Sequence, residues 1–478
     1  MKGKSALSET RTKVEVYPNE AYTNGDAGEK FDLHAGVLGP VETLAQSVSA
    51  IAPSTSPSLT IPLVFALAGG ATWFVYLLAT IAIFMIGICV SRFARLSASP
   101  GSLYTYTAST LPPAFGAIAA WALLLAYIAT GASVAGGALY YSGVLGQQMI
   151  SWSPPAIPAL ILVCLVAAYI AWRDVKLSAE TMLWIEAISV GLIGIVLIAL
   201  PIKLGFRFDL EQFRLKSMHF SGLGPALVLS IFSFVGFESA TTLGGEAREP
   251  LKTIPRAVLQ CALLSGVFFM LCSYAEVMGF RGEAGQLSSS TSPLHLLANK
   301  AGISLLGTAV DFGAAVSMFA CVLACTNAAA RVLMRMARGG ILPRIFERTG
   351  SKHRTPGAAI VLSAALILLP AAAMSLRGFA GSDMYDLLGS LSVFGFLTAY
   401  GLVALALPFA RRAVGQHSHL LAAVSVATVI IILLIGVFDL RSAADPLHAR
   451  IPYIYLVYIS LGLAWYAFSR KKALPVEA

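Results

Sequence analysis

The sequence predicts an all-α integral membrane protein with twelve transmembrane helices. Of its 478 residues, 57% are hydrophobic and only 12% are charged, whereas soluble globular domains carry about 25% charged residues. Its mean hydropathy is +0.78. Twelve apolar stretches follow one another along the chain, and each approaches or exceeds the ~20 residues that an α-helix needs to cross a bilayer. The composition therefore excludes a soluble globular protein.

The chain divides into a polar N-terminal tail, a twelve-helix domain and a short C-terminal tail. The N-terminal tail covers residues 1–36 and contains no apolar run, and residues 471–478 form the C-terminal tail. The domain between them covers residues 37–470. Its predicted spans are 40–66, 72–92, 113–144, 155–172, 178–202, 222–244, 256–280, 303–335, 357–376, 385–409, 419–438 and 451–469.

The distribution of basic residues predicts that both termini lie in the cytoplasm. Cytoplasmic loops of membrane proteins carry an excess of Lys and Arg. With the N-terminus inside, most of the 33 Lys and Arg residues fall on the inner side, including those of the stretch 331–354. This asymmetry also accounts for the net charge of +9. We therefore expect a lipid bilayer as partner, no nucleic acid, and a location in the cytoplasmic (inner) membrane.

No motif of an enzyme or of a cofactor site occurs in the sequence. It contains no G-x-S-x-G, H-E-x-x-H, phosphate-binding loop or dinucleotide-binding glycine run. The six cysteines lie in apolar segments without a C-x-x-C pair, a pattern that favours buried free thiols over disulfides or zinc ligands. The chain is predicted to be no enzyme, to hold no metal and to need no cofactor.

The first span contains prolines that argue against one straight helix. A proline removes a backbone hydrogen-bond donor and clashes with the preceding helical turn. We therefore predict a break at residues 52–57. The prolines and the hydroxyl residues between them are Pro53, Ser54, Thr55, Ser56, Pro57, Ser58, Thr60 and Pro62.

The sixth span carries an ionisable residue beside a glycine. The stretch 230–255 begins as an apolar segment with Gly236 and Glu238 and ends as a charged loop. An ionisable residue inside a membrane is costly and usually functional, and glycine weakens a helix. We therefore predict a second break near residues 234–238.

The two predicted breaks lie in spans that are five helices apart. This spacing is typical of a five-plus-five inverted repeat in which each half begins with a discontinuous helix. The first repeat then covers about 40–202 and the second about 222–409, with peripheral helices at 419–469. The alternative is a pair of ordinary proline and glycine kinks, which are common in membrane helices.

Several stretches resemble motifs of the amino acid–polyamine–organocation (APC) superfamily of permeases. Residues 234–238 (Phe-Val-Gly-Phe-Glu) and 246–250 (Glu-Ala-Arg-Glu-Pro) are similar to its sixth-helix signature and the loop that follows. Residues 327–331 (Asn-Ala-Ala-Ala-Arg) and 336–343 (Met-Ala-Arg-Gly-Gly-Ile-Leu-Pro) resemble the end of its eighth helix and the next loop. Residues 99–104 resemble the loop before its third helix. The likeness covers nearly the whole chain after the N-terminal tail.

The resemblance implies a LeuT-like fold with discontinuous helices 1 and 6. It further implies a bacterial secondary active transporter that moves an amino acid by alternating access, coupled to protons. The alternatives are a polyamine or amine permease, an amino acid exchanger on the same fold, or a binding-only nutrient sensor. No acidic cluster marks a polyamine site, which favours a neutral or small amino acid as the substrate.

Two departures from the family's pattern bear on the mechanism. Residues 53–56 (Pro-Ser-Thr-Ser) stand where the family's first helix often has a Gly-Ser-Gly break. Some proton-coupled members carry a lysine in helix five, but the span 178–202 contains none. The matching position lies near Ser189, and Glu186 precedes it by one turn. A lysine-based proton mechanism is therefore not expected.

The predicted substrate site lies between the two breaks. Backbone N–H groups and hydroxyls of the first break suit a carboxylate, unless the hydroxyls only cap their own helix. Carbonyl groups freed at 232–235 suit an α-ammonium. One of the two phenylalanines, Phe232 or Phe234, is predicted to act as a gate. Tyr127 and Thr130 of the third span are predicted to face the centre because of their depth in the span. Packing is the alternative for all four residues. The candidates are Ser54, Thr55, Ser56, Phe232, Ser233, Phe234, Val235, Tyr127 and Thr130.

Glu238 is the predicted proton-coupling residue. Low-dielectric surroundings disfavour the charged form of a carboxyl group, so Glu238 is suited to take up and release a proton during transport. A permanently protonated structural glutamate is the alternative. Glu186 and Glu276 are weaker candidates for the same role. Sodium is the other candidate coupling ion, with carbonyl groups of helix one and the hydroxyl of Ser317 as ligands.

Overall fold

The computed structural model describes residues 32–473, except 204, 206–208, 216–219, 291, 414–417 and 443–445. The described residues form an all-helical fold, with 81% of them in helices. One isolated parallel bridge joins Leu38 to Ala247, and the described part of the chain forms no strand. Most of the predicted N-terminal tail and residues 474–478 lie outside the described residues.

The helices are numbered here in chain order. They are α1 (Pro40–Ile51), α2 (Ile61–Ala68), α3 (Thr72–Ala94), α4 (Ser102–Ala108), α5 (Pro113–Ile150), α6 (Ala156–Arg173), α7 (Val175–Lys203), α8 (Leu223–Phe232), α9 (Pro250–Gly279), α10 (Ala284–Ser289), α11 (Pro293–Lys300), α12 (Ser304–Arg338), α13 (Gly357–Leu376), α14 (Gly381–Ala413), α15 (His419–Ser442) and α16 (Ile451–Ala473). A π turn, Ser56–Thr60, links α1 to α2, and a 3-10 turn, Ser239–Leu243, follows α8. Further 3-10 turns are Gln212–Arg214, Phe220–Gly222, Arg344–Glu347 and His448–Arg450.

Eleven segments of the described chain are long and apolar enough to cross a membrane. They coincide with eleven of the twelve predicted spans, with α1 and α2 counted together as Pro40–Ala68. The remaining prediction, 222–244, contains α8, whose 10 residues fall short of the ~20 that span a bilayer. The chain is a multi-pass membrane protein, and the predicted total of twelve spans stays a prediction.

Several helices extend beyond the apolar stretches from which they were predicted. α5 is 38 residues long and continues past residue 144 through Gln147 and Gln148 to Ile150. α9 begins at Pro250 rather than at residue 256, because a proline is favoured at the first position of a helix. Hydropathy marks the part of a helix that lies in lipid, whereas polar end turns continue the same hydrogen-bonded ladder.

The core of the domain surrounds α5, which packs against α12 and α14. A Cβ atom at Gly395 of α14 would lie 2.5 Å from the carbonyl oxygen of Ala122 on α5, so the two helices meet with their backbones in contact, as small residues allow in membranes. The apolar part of α5 is 78% buried, against 28% for α15 and 17% for the segment that contains α16. The last two helices therefore lie at the edge and present their large apolar side chains to lipid.

Candidate functional site

The first break separates α1 from α2 where the prolines predict it. α1 ends at Ile51, and Ala52 has a left-handed backbone with φ of 50°. The N–H of Ala52 donates to carbonyl oxygens in the last turn of α1, which closes that helix. The chain resumes as the π turn Ser56–Thr60. The predicted break at 52–57 is thereby confirmed.

The second break follows α8. The helix ends at Phe232, residues 233–238 form turns, and Gly236 has φ of 90°. Glycine adopts this backbone conformation readily, whereas a Cβ strains it. The chain then continues as the 3-10 turn Ser239–Leu243. The predicted break near 234–238 is also confirmed.

The segment that follows the second break is hydrogen-bonded to α1. The hydroxyl of Ser239 donates to the carbonyl oxygen of Gln46 at 3.0 Å, and the N–H of Ala240 donates to the hydroxyl of Ser47 at 3.0 Å. The side-chain amide of Gln46 donates in turn to the carbonyl oxygen of Ala324 on α12 at 2.9 Å. These bonds satisfy groups that an interrupted helix frees inside a membrane, and they hold α1, the turn after the second break and α12 together.

The substitution Gly236→Ala is expected to weaken this contact. Its Cβ would lie 3.0 Å from the carbonyl oxygen of Ala50, at a φ of +90°. Strain of this kind costs about 1–3 kcal/mol, so the purified variant should unfold at a lower temperature than the wild type. Gly191→Ala is the control, because a Cβ there meets no atom within 4 Å. Equal melting temperatures for the two variants would contradict the expectation.

Glu238 lies buried beside the second break, between two tyrosines. The hydroxyl of Tyr127 on α5 donates to Oε1 of Glu238 at 2.9 Å, and the hydroxyl of Tyr400 on α14 donates to Oε2 at 2.5 Å. The hydroxyl of Tyr400 also accepts a hydrogen bond from the N–H of Gly236 at 3.4 Å. The side chain of Glu238 is 0% exposed. Each carboxyl oxygen therefore has its own donor, and α5 and α14 are tied to the second break.

Tyr400 is a site residue that the sequence analysis does not identify. It lies within the predicted span 385–409, and its side chain is fully buried. A buried tyrosine hydroxyl usually finds a hydrogen-bond partner, so a tyrosine in the middle of an apolar span is itself a weak signal. Nothing in the local sequence, however, pairs it with Glu238.

Glu186 and Ser189 of α7 connect the fifth predicted span to the site. The hydroxyl of Ser317 on α12 donates to the two carboxyl oxygens of Glu186 at 2.9 and 3.1 Å. The hydroxyl of Ser189 lies 2.5 Å from that of Ser54 in the first break. Residues three apart share one face of a helix. One face of α7 thus meets both α12 and the first break, and the position that lacks a lysine lies against Ser54.

The remaining polar candidates are buried near these groups. Thr55, Ser56 and Thr130 are each at most 3% exposed. The hydroxyl groups of Thr55 and Thr130 form no hydrogen bond with any described residue. The hydroxyl of Ser233 lies 3.2 Å from that of Tyr76 on α3. Thr55, within the first break, and Thr130 on α5 therefore have unused hydrogen-bonding capacity among the described residues.

The two candidate gate residues have different surroundings. Phe234 is fully buried and packs edge-on against Phe269 of α9, with 5.1 Å between ring centroids. Phe232 lies 5.5 Å from the ring of Tyr385 and, with Thr60, lines a small cavity of about 10 Å³. Val235 is buried at 3% exposure. Phe232 is thus the phenylalanine that borders a cavity of about the size of one water molecule, whereas Phe234 belongs to the packing between α9 and the second break.

A buried ion pair joins two of the motif stretches. The guanidinium of Arg331 on α12 donates to the carboxylate of Glu246 at 2.5 and 3.2 Å, and both side chains are 1% exposed. Arg331 also donates to the carbonyl oxygen of Asn327 at 3.0 Å. The end of the eighth predicted span is therefore fastened to the loop after the sixth.

Within the described ranges, no three His, Cys, Asp or Glu side chains come together in a way that could hold a metal ion.

Comparisons with known proteins give matches over most of the chain. A family profile described as amino acid permease matches residues 50–466. The branched-chain amino acid permease BcaP of Bacillus subtilis (strain 168) is 24% identical over 355 residues, which cover 70% of this chain and 73% of BcaP. The low-affinity putrescine importer PlaP of Escherichia coli (strain K12) is 26% identical over 305 residues, 62% of this chain and 65% of PlaP. The methylthioribose transporter of Bacillus subtilis (strain 168) is 22% identical over 422 residues, 85% of this chain and 87% of that protein.

Proposed function

We propose that this chain, which belongs to the amino acid permease family, is a secondary active transporter that carries an amino acid by alternating access. Members of the family are permeases rather than enzymes. The observation that supports the proposal most directly is the contact between α1, which ends at the first break, and the segment that follows Glu238 in the second break. Paired discontinuous helices expose backbone groups that can bind a solute, and each can rearrange without unfolding a continuous helix.

The chemistry of the breaks matches that of an amino acid. In the proposed site, N–H groups at the first break and the hydroxyls of Thr55 and Ser56 bind the solute carboxylate. Carbonyl groups at 232–235 bind the α-ammonium, and Phe232 covers the solute. Thr55 and Thr130 support this assignment because their buried hydroxyls have no partner among the described residues. A solute that brings its own donors and acceptors would satisfy them.

Glu238 is the proposed coupling group. A proton on this carboxyl would neutralise Glu238, which lies within the second break, and loss of the proton would leave a charge held by Tyr127 and Tyr400. Hydrogen bonds to a charged acceptor are the stronger kind, so the two tyrosines would bind more tightly in the deprotonated state. Proton transfer would thereby change how firmly α5 and α14 hold the second break.

The proposed location is the cytoplasmic membrane with both termini inside. The excess of Lys and Arg on one side supports this orientation. In this arrangement the ion pair between Arg331 and Glu246 lies on the cytoplasmic side of the breaks.

An amine permease is the second candidate function. One relative is named a putrescine importer and another a methylthioribose transporter, so similarity at this level does not select one solute. An exchanger, which trades one solute for another without accumulation, uses the same site.

Uptake into proteoliposomes tests these proposals. The purified protein is given radiolabelled leucine, lysine, putrescine or methylthioribose under an inward proton gradient, an inward sodium gradient or no gradient. We expect accumulation of an amino acid under the proton gradient and none in protein-free liposomes. Accumulation of putrescine alone would establish the amine permease, and counterflow without accumulation would establish an exchanger. Binding of a solute without any movement across the membrane would overturn the transporter proposal.

A further inference from the structure

Glu276 is a buried carboxyl group that the proposed transport cycle does not use. It lies near the end of α9 and is 0% exposed. Neither of its carboxyl oxygens forms a hydrogen bond with any described residue. The other buried glutamates of the spans differ: Glu238 accepts bonds from two tyrosines, and Glu186 accepts from Ser317. A buried carboxylate without a donor or a counter-charge is strongly unfavourable.

The surroundings of Glu276 connect it to both breaks. α9 packs against the π turn Ser56–Thr60 and against α3. The side chains of Tyr76 on α3 and Tyr141 on α5 lie close enough to Glu276 to interact with it electrostatically. The hydroxyl of Tyr76 is bonded to that of Ser233 in the second break, and the hydroxyl of Tyr141 is bonded to the carbonyl oxygen of Ser58 beside the first.

Tyr141, one of the two tyrosines close to Glu276, has no proton left to donate to the carboxyl group. Tyr141 must be the donor in its 3.1 Å bond to Ser58, because a carbonyl oxygen can only accept. Its single proton is thereby used, and its lone pairs are left free. No Lys, Arg or His side chain of the described chain forms an ion pair with Glu276. A positively charged group with several N–H donors would complement the carboxylate and the tyrosine hydroxyl together.

We propose that Glu276 binds an ammonium group of the transported solute. The inference rests on the proposed transport function and specifies its solute class. The carbonyl groups of the second break are assigned to an α-ammonium, so Glu276 takes a further positive charge. The solutes that fit are basic amino acids and diamines. This differs from the neutral solute that the sequence favours, because a single unpaired carboxylate cannot be recognised from composition.

A pair of solutes that differ in one charge tests the inference. L-Lysine is compared with L-2-aminoheptanoate, in which a methyl group replaces the terminal ammonium, and putrescine is compared with 1-pentylamine by the same logic. Dissociation constants come from the shift in melting temperature of the purified protein with solute concentration. The wild type is expected to bind the charged member of at least one pair about tenfold or more tightly, since hydrogen bonds to a charged group are strong.

Glu276→Gln is expected to abolish this preference and to leave the affinity for the uncharged member within about threefold of the wild type. Glu180→Gln is the matched control, because Glu180 is an exposed acid paired only with Lys176 on the same helix; it should keep the full preference. Glu276→Asp preserves the charge and should keep at least part of the preference. This variant keeps the inference testable if Glu276→Gln does not fold.

The outcomes separate this inference from the proposed function. A wild type that accumulates neutral amino acids but shows no preference within either pair would overturn the role of Glu276 and leave the transporter intact. A preference that persists in Glu276→Gln would overturn it as well. Stabilisation by sodium chloride over choline chloride, lost in Glu276→Gln, would assign the site to a sodium ion and overturn the ammonium. Transport of no amino acid or diamine under any gradient would instead contradict the proposed function.

Discussion

Replacing Arg331 by methionine is expected to lower the free energy of unfolding by about 3–5 kcal/mol, the cost of leaving one member of a buried ion pair unpaired. Arg331 and Glu246 are each 1% exposed and form three hydrogen bonds with one another. Without the guanidinium, the carboxylate of Glu246 would have no hydrogen-bond donor among the described residues. Denaturant-induced unfolding of the purified protein in detergent measures the loss.

Two further variants show whether the unpaired charge is the cause. Arg331→Met combined with Glu246→Leu should recover most of the lost stability, because a buried ion pair can be replaced by apolar groups at little cost. Lys252→Met removes a cation from the exposed ion pair with Glu249 and should leave stability close to that of the wild type. If Arg331→Met were as stable as Lys252→Met, the buried ion pair would have no structural role.

Glu238→Gln is expected to abolish accumulation driven by a proton gradient while exchange continues. The amide fits the same space and can accept a bond from Tyr127 or Tyr400, so the packing of the second break against α5 and α14 should persist. It cannot gain or lose a proton at neutral pH, however, so solute should only equilibrate, and the ratio of inner to outer concentration should fall to about one. The measurement is uptake with and without a pH gradient, beside counterflow in preloaded vesicles.

Glu211→Gln serves as the control, since it neutralises an exposed acid that pairs with Arg214 and should accumulate solute as the wild type does. Accumulation that responds to the pH gradient as strongly in Glu238→Gln as in the wild type would remove Glu238 from the coupling role. Loss of counterflow together with accumulation would indicate instead that the carboxyl is needed for solute binding.

The positions of the helices and of both breaks could be predicted because their causes are local. Apolar composition over ~20 residues marks a span wherever the rest of the chain lies, and a proline acts on its own turn. Pro53 and Pro57 thus locate the first break, and Gly236 beside Glu238 locates the second. α8 shows the limit of this reasoning, because hydropathy continues across 222–244 although the helix itself ends at Phe232.

The partners within the site could not be predicted because they depend on helix packing. Glu238 and Tyr400 are 162 residues apart in sequence, and Glu246 and Arg331 are 85 apart. Both charged members of the second pair lie within motif stretches, but nothing in the sequence shows that they contact each other. The same limit applies to Glu276, because the feature that distinguishes it is that its carboxyl oxygens have no hydrogen-bond partner among the described residues.

The backbone bridge at Leu38 determines which segments must move together. The N–H of Leu38 donates to the carbonyl oxygen of Glu246 at 3.1 Å, and the N–H of Arg248 donates to the carbonyl oxygen of Leu38 at 2.8 Å. These main-chain bonds fasten the segment that enters α1 to the loop that leaves the second break. A rotation of α1 would therefore move that loop as well. Only a substitution by proline removes a backbone N–H donor. Most other substitutions at Leu38 or Arg248 would therefore leave these two hydrogen bonds in place.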